Sequence, residues 1–156
     1  MKFSIISIAH KAPSWINQGV EEYLKRINRG IYNCELIEIK SNRNPNHSVA
    51  ENMQLEAQKI EAQIKPGSYL IVLDEKGESA TSVKFAAKLD QIKQHNSHIT
   101  FVIGGADGIS DQLKARANYV FSLSKLTYPH QLVKIVILEQ IYRAISILEN
   151  HPYHRE

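Results

Sequence analysis

Two uninterrupted apolar runs, YLIVLD at 69–74 and ITFVI at 99–103, constrain the fold more than any other feature of this chain. Each is strand length and contains β-branched residues, with no alternation of apolar and polar positions that would give it a face toward water. Such a run suits a strand covered on both faces, which is the habit of parallel sheets flanked by helices. Three further β-prone segments, Lys2 to Ala9, Cys34 to Lys40 and Tyr119 to Leu123, extend the set.

Helical patterns fill the intervals. Ser14 is the expected N-cap of a helix with Trp15, Ile16, Val20, Leu24 and Ile27 on one face. After a polar turn at Ser41 to His47, Ser48-Val49-Ala50-Glu51 reads as a capping box, in which a hydroxyl and a carboxylate each satisfy an orphaned N–H of the first turn. Val49, Met53, Ala57, Ile60 and Ile64 carry its apolar stripe as far as Pro66-Gly67. A loop around Gly77 is expected to lead into a helix bearing Val83, Phe85, Ala86, Leu89 and Ile92. Ser110 caps a short helix, and the last helix runs from Gln131 to Glu149. Strand and helix alternate about five times, so the predicted class is α/β with a mostly parallel sheet, as a single domain over 1–156.

The last helix is apolar around its whole circumference, from Leu132 and Val133 to Ile147 and Leu148, where a surface helix shows one stripe. It must be covered on more than one side. In a chain of 156 residues a second copy is the simplest cover, and a homodimer is expected.

Composition narrows the function classes. Phe3 to Ala9 is too short for a membrane span and lacks a secretory cleavage pattern, so a cytoplasmic protein without membrane attachment is expected. The lone cysteine, Cys34, makes no internal disulfide, and no His/Cys spacing suggests a metal site. A net charge of +3 is compatible with an RNA partner without requiring one.

Three segments hold residues with chemical potential. Gly104-Gly105-Ala106-Asp107-Gly108 follows a buried strand, where open α/β sheets bind ligands and a missing Cβ admits close backbone approach. The spacing is not that of a dinucleotide fingerprint, and a plain tight turn is the alternative. Leu123-Ser124-Lys125-Leu126-Thr127-Tyr128-Pro129-His130 either lines a polar pocket or is an ordinary loop with His130 as a helix cap. The terminus Asn150-His151-Pro152-Tyr153-His154-Arg155-Glu156 is either a frayed end or a set able to stack on a base, pair with phosphate and move a proton.

Taken together, LIVLD at 70–74, IGGADG at 103–108, LSKLTYPH at 123–130, LEQIYRA at 138–144 and the terminal NHPYHRE resemble the RlmH family of large-subunit ribosomal RNA pseudouridine N3-methyltransferases, within the SPOUT superfamily. The similarity runs from the first strand to the last residue. It departs from the usual pattern at Ala106-Asp107, where Pro-Glu is common, and at Lys125, where a small residue is frequent.

The resemblance implies a C-terminal deep trefoil knot that holds S-adenosyl-L-methionine in a bent shape. The implied cofactor-binding residues are Leu73, Gly104, Leu123, Ser124, Lys125, Leu126, Thr127 and Tyr128. It also implies that His154 or His130 assists deprotonation of the target imide, that Arg155 and Arg143 hold phosphate or developing negative charge, and that Tyr153 stacks on the base. The tail of one subunit would complete the site over the cofactor of the other. The expected partners are a second copy, the ribosome and its large-subunit RNA, with Lys2, Lys11, Lys25, Arg26, Arg29 and Arg43 as candidate backbone contacts. Three rivals stand beside this reading: another SPOUT RNA methyltransferase, a ribosome-associated binding factor without catalysis, and an unrelated nucleotide-binding α/β module.

Overall fold

Both apolar runs lie at the centre of one parallel sheet. The computed structural model describes residues 1–9, 11–41 and 43–155; Asn42 of the polar turn and Glu156 of the terminal motif lie outside the described residues. Strand β1 (Lys2–Ala9), helix α1 (Ser14–Ile27), β2 (Asn33–Lys40), α2 (Val49–Gln63), β3 (Tyr69–Ser79), α3 (Ser82–Lys93), β4 (His98–Ile103), α4 (Asp111–Arg116), β5 (Tyr119–Ser122) and α5 (His130–Leu148) follow in order. The strands pair in the order β2-β1-β4-β3-β5, and every pairing is parallel.

Helices cover both faces, as the apolar runs require. On one face α1, α3 and α5 pack over Phe3, Ile5, Phe101 and Phe121; on the other, α2 and α4 cover Ile6, Ile8, Val72 and Val102. Much of the all-round apolarity of α5 is explained within one chain, because this helix rests on the sheet between α1 and α3 and buries Ile137, Leu138, Ile141, Ala144 and Ile145. Leu132, Ile135, Val136, Ile147 and Leu148 are left half-buried. Gly19 lets α1 close on α5, since a Cβ there would come within 2.6 Å of Ile135 Cδ1.

Local sequence reading holds at several element ends and fails at others for identifiable reasons. The capping box forms, with Glu51 N–H donating to Ser48 Oγ at 3.1 Å and Ser48 N–H to Glu51 Oε2 at 3.0 Å. Ser110 caps α4 through Leu113 N–H. Ser14 is not a cap: α1 begins at Ser14 itself, Pro13 holds the cap position, and no side chain caps the helix. Trp15 is 59% exposed because it falls about 100° around the helix from the buried stripe of Ile16, Val20 and Ile27. Val49 is likewise exposed, at the outer end of α2. His130 is not a cap either, since Pro129 occupies that position and α5 starts at His130.

The clearest correction concerns Gly77, which lies in a strand rather than a loop. Leu73 and Glu78 both pair with Phe121, so the intervening residues bulge out of the ladder before β3 resumes. A Cβ on Gly77 would meet the backbone of Val120 and Phe121 at 2.8 Å, and only glycine lets β3 return to β5 there.

Among the described residues no helix is long and apolar enough to cross a membrane, and no group of His, Cys, Asp and Glu side chains is placed to hold a metal ion. Cys34 is buried in β2, its N–H donating to Asn28 Oδ1 at 2.7 Å, and burial pushes its thiol up to about 12. At pH 8 its thiolate population is about a hundred- to a thousandfold below that of an open cysteine. Labelling by a thiol reagent is therefore expected to be slower by at least that factor in the native protein, and to recover in urea along the unfolding transition followed by circular dichroism.

Candidate active site

The carboxyl ends of three strands align in one row: Leu73 pairs with Ile103 across β3 and β4, and with Phe121 across β3 and β5. Beyond that row a cavity of about 520 Å³ opens, within the size range of small-molecule sites. Three connections line it. The bulge in β3 contributes Asp74, Glu75 and Lys76, the turn after β4 contributes 104–109, and the elbow between β5 and α5 contributes Leu123, Ser124, Leu126, Thr127, Tyr128 and His130.

The glycine turn is tight for a physical reason. Gly108 has φ +84°, a conformation side chains other than glycine rarely adopt, and its N–H donates to Gly105 O at 3.0 Å. A Cβ on Gly104 would stand 2.5 Å from Ile109 Cγ1 and 2.8 Å from the Gly108 carbonyl. Arg43, from the segment before α2, pairs with Asp107 and ties the turn down from outside.

Hydrogen bonds fix the elbow. Ser122 Oγ donates to Ser124 O at 2.9 Å, Leu126 N–H donates to Ser124 Oγ at 2.9 Å, and Thr127 Oγ1 donates to Glu75 Oε2 at 3.3 Å. Of the eight residues the resemblance assigns to the cofactor, seven line the cavity; Lys125 is exposed and stands off it. Apolar Leu73, Leu123, Ile109 and Val133 face carboxylates at Asp74, Glu75, Asp107 and Asp111. Lys76 and Lys114 also line it, so four carboxylates stand against two ammonium groups, a balance that suits a nucleoside whose hydroxyls seek acceptors and which carries positive charge.

Burial pushes the Asp74 carboxyl up, but the Lys114 ammonium at 2.8 Å and the Lys76 backbone N–H at 2.8 Å outweigh it and hold the group below its ordinary value. The residues of the bulge escape sequence reading because YLIVLD ends on Asp74 without any turn signature. A carboxylate at the carboxyl end of a buried strand was the available signal.

The tail forms a second cluster. Asn150, at φ +55°, ends α5 in the left-handed conformation while His151 N–H donates to Ser146 O at 2.8 Å, a helix stop that turns the chain back. Tyr153 then packs edge-on against Tyr142 with ring centroids 4.7 Å apart, and its hydroxyl donates to Glu139 Oε1 at 3.1 Å. Burial, a hydrogen bond with Tyr23 and the Glu139 charge raise the Tyr153 phenol above its ordinary value, which keeps it a neutral hydroxyl.

Glu139 also receives Arg143 Nε at 2.9 Å and Nη2 at 2.6 Å, and this pairing raises the guanidinium further. The Arg143 guanidinium lies 4.8 Å from the Tyr153 ring centre, and its Nη1 is 3.2 Å from His154 Nδ1. Arg155 is exposed. Arg143 stands about 20 Å along the axis of α5 from His130, at 1.5 Å per residue, so one chain carries the cavity and the tail cluster at opposite ends of the same helix.

Of the candidate RNA contacts, Lys2, Lys11, Lys25 and Arg29 are exposed. Arg26 pairs with Glu22 at 2.9 Å and lies over the Tyr23 and Tyr142 rings, and Arg43 is held by Asp107.

Comparison with known proteins gives a consistent picture. A family model described as "Predicted SPOUT methyltransferase" matches residues 1–154. The chain is 43% identical to the "Ribosomal RNA large subunit methyltransferase H" of Neisseria meningitidis serogroup A, with all of both chains covered. It is 46% identical to the protein of the same name from Ralstonia pickettii over 99% of both, and 41% identical to that of Methylobacillus flagellatus over all of both.

The Asp74–Lys114 pair has a signed pH dependence. Because the folded carboxyl sits below its unfolded value, the stabilisation is complete above the ordinary carboxylate range near 3.9 and is lost as pH falls through the depressed value. Asp74→Asn is expected to cost on the order of 1 kcal/mol in urea unfolding at pH 7, with the gap to the parent narrowing toward pH 3.

Proposed function

The chain belongs to the SPOUT methyltransferase family, and from that premise we propose that it methylates N3 of a pseudouridine in large-subunit ribosomal RNA on the assembled ribosome, with S-adenosyl-L-methionine as donor. The observation that carries the reading is the cavity at the aligned strand ends, lined by the glycine turn and the 123–130 elbow, in a chain similar along its whole length to methyltransferases named for large-subunit RNA. Its apolar walls and surplus of carboxylates fit a cationic nucleoside.

The bound donor supplies an electrophilic methyl group on a sulfonium. Leu73, Gly104 and, from the elbow, Leu123, Ser124, Leu126, Thr127 and Tyr128 would hold it, with the C-terminal stretch from β5 into α5 forming the trefoil knot of the superfamily. An imide nitrogen is a poor nucleophile until its proton leaves, so an imidazole, His130 or His154, must take that proton or stabilise the anion left behind. Tyr153 stacks on the target base and Arg155 meets phosphate, while Arg143, already paired with Glu139, orders the tail.

Cavity and tail lie about 20 Å apart on α5, too far to meet on one substrate base. Two copies, joined through the half-buried apolar residues of α5, bring the tail of each over the cavity of the other. This reading places the protein in the cytoplasm, where assembled ribosomes are.

Incubating the protein and labelled donor with ribosomes that carry or lack pseudouridine tests the proposal. Label should map to one pseudouridine of the large subunit and be absent without it; equal labelling of both ribosomes would defeat the reading. Gly104→Ala is expected to weaken donor binding at least about tenfold in calorimetric titration, because its methyl group collides with backbone. Arg155→Ala is expected to bind donor as the parent does and to transfer methyl roughly ten- to a hundredfold more slowly.

A further inference from the structure

A guanidinium has five N–H donors and no acceptor. At 3.2 Å from Arg143 Nη1, His154 Nδ1 is therefore the accepting, unprotonated nitrogen of its ring. A neutral imidazole carries one proton, which then sits on Nε2. The guanidinium is not free to turn away, because Glu139 Oε1 holds its Nε at 2.9 Å and its Nη2 at 2.6 Å and is itself held by the Tyr153 hydroxyl.

We infer that Arg143, clamped by Glu139, is a positioning residue that fixes His154 as the Nε2-protonated tautomer, with Nδ1 taken by the guanidinium and Nε2 enclosed by the chain, so that His154 orders the tail rather than accepting the imide proton and His130 removes that proton. The inference rests on the reaction proposed above and decides between its two imidazoles.

The surroundings of His154 agree with this division. Arg143 faces it from α5 with Glu139 behind the guanidinium, Tyr153 and Arg155 adjoin it in the chain, and Tyr23 and Arg26 of α1 pack on Tyr142. Tyr153, kept as a neutral phenol, offers no proton acceptor in its place. His130 instead lines the cavity where the methyl donor is held. In the balanced step the N3–H proton passes to a ring nitrogen of His130 and the N3 electron pair forms the new N–C bond. The C–S electron pair returns to sulfur, leaving a neutral thioether.

Nitrogen NMR of the full-length protein with labelled histidine reads the tautomer directly, the His154 signals being assigned by their loss in His154→Gln. The expected result at neutral pH is a proton on Nε2 and an Nδ1 signal typical of a hydrogen-bonded acceptor. Arg143→Met should move that signal to the unbonded position, and Glu139→Gln, which unclamps the guanidinium, should move it in the same direction. A proton on Nδ1, a doubly protonated ring, or an Nδ1 signal indifferent to both substitutions overturns the inference.

The pH profile of methyl transfer to ribosomes gives a second arm. His154→Gln should slow transfer about tenfold yet keep the acidic limb, whereas His130→Gln should lose that limb and about a hundredfold in rate. Loss of the limb in His154→Gln instead would assign the base to His154 and end the inference. Absence of methyl transfer from every form would fault the proposed reaction, while the NMR result would still decide the tautomer.

Discussion

A parallel sheet buried on both faces governs the whole molecule. Its central strands are buried almost throughout, so helices must cover both faces, and every connection must run from the carboxyl end of one strand back to the amino end of the next. The loops that leave β3, β4 and β5 therefore crowd one rim, where Leu73, Ile103 and Phe121 stand in register. The cavity is a consequence of this topology, and its lining follows from three local devices: a bulge at 74–77, a glycine turn at 104–108 and a hydrogen-bonded elbow at 123–130.

Helix α5 links that rim to the opposite end of the molecule. Its N-terminal residue, His130, lines the cavity; Glu139 at its midpoint and Arg143 one turn further on are the residues on which the tail folds. The left-handed Asn150 turns the chain back, and Glu139 then gathers an arginine and a tyrosine on one carboxylate oxygen. Substitutions at Glu139 thus act on the tail as a unit, through the charge that orders it.

The fold class was legible because the sheet is so thoroughly buried that its central strands lose all alternation, and the capping box of α2 was legible because both partners lie within four residues. The glycine turn and the elbow could be placed, since each directly follows a strand. Features set by distant backbone were not legible. Gly77 reads as a loop residue until β5 is known to lie against it, and Asp74 reads as the end of a strand until the bulge aims it at Lys114. Ser14 and Trp15 were misread because helix register turns on one residue, and Pro13 takes the cap position. Glu139 shows in the sequence only as the i,i+4 partner of Arg143. Its role appears only when the tail, folding back by more than ten residues, brings Tyr153 onto it.

The account's central claim is that the two ends of α5 serve one reaction in different copies of the chain. Mixing Gly104→Ala protein, impaired in the cavity, with Arg155→Ala protein, impaired in the tail, tests it most directly. If each site joins one copy's cavity to the other's tail, equal mixing after subunit exchange restores roughly a quarter of the parental rate, since half of the dimers are mixed and each has one complete site. A mixture no faster than the sum of its two components would contradict the account.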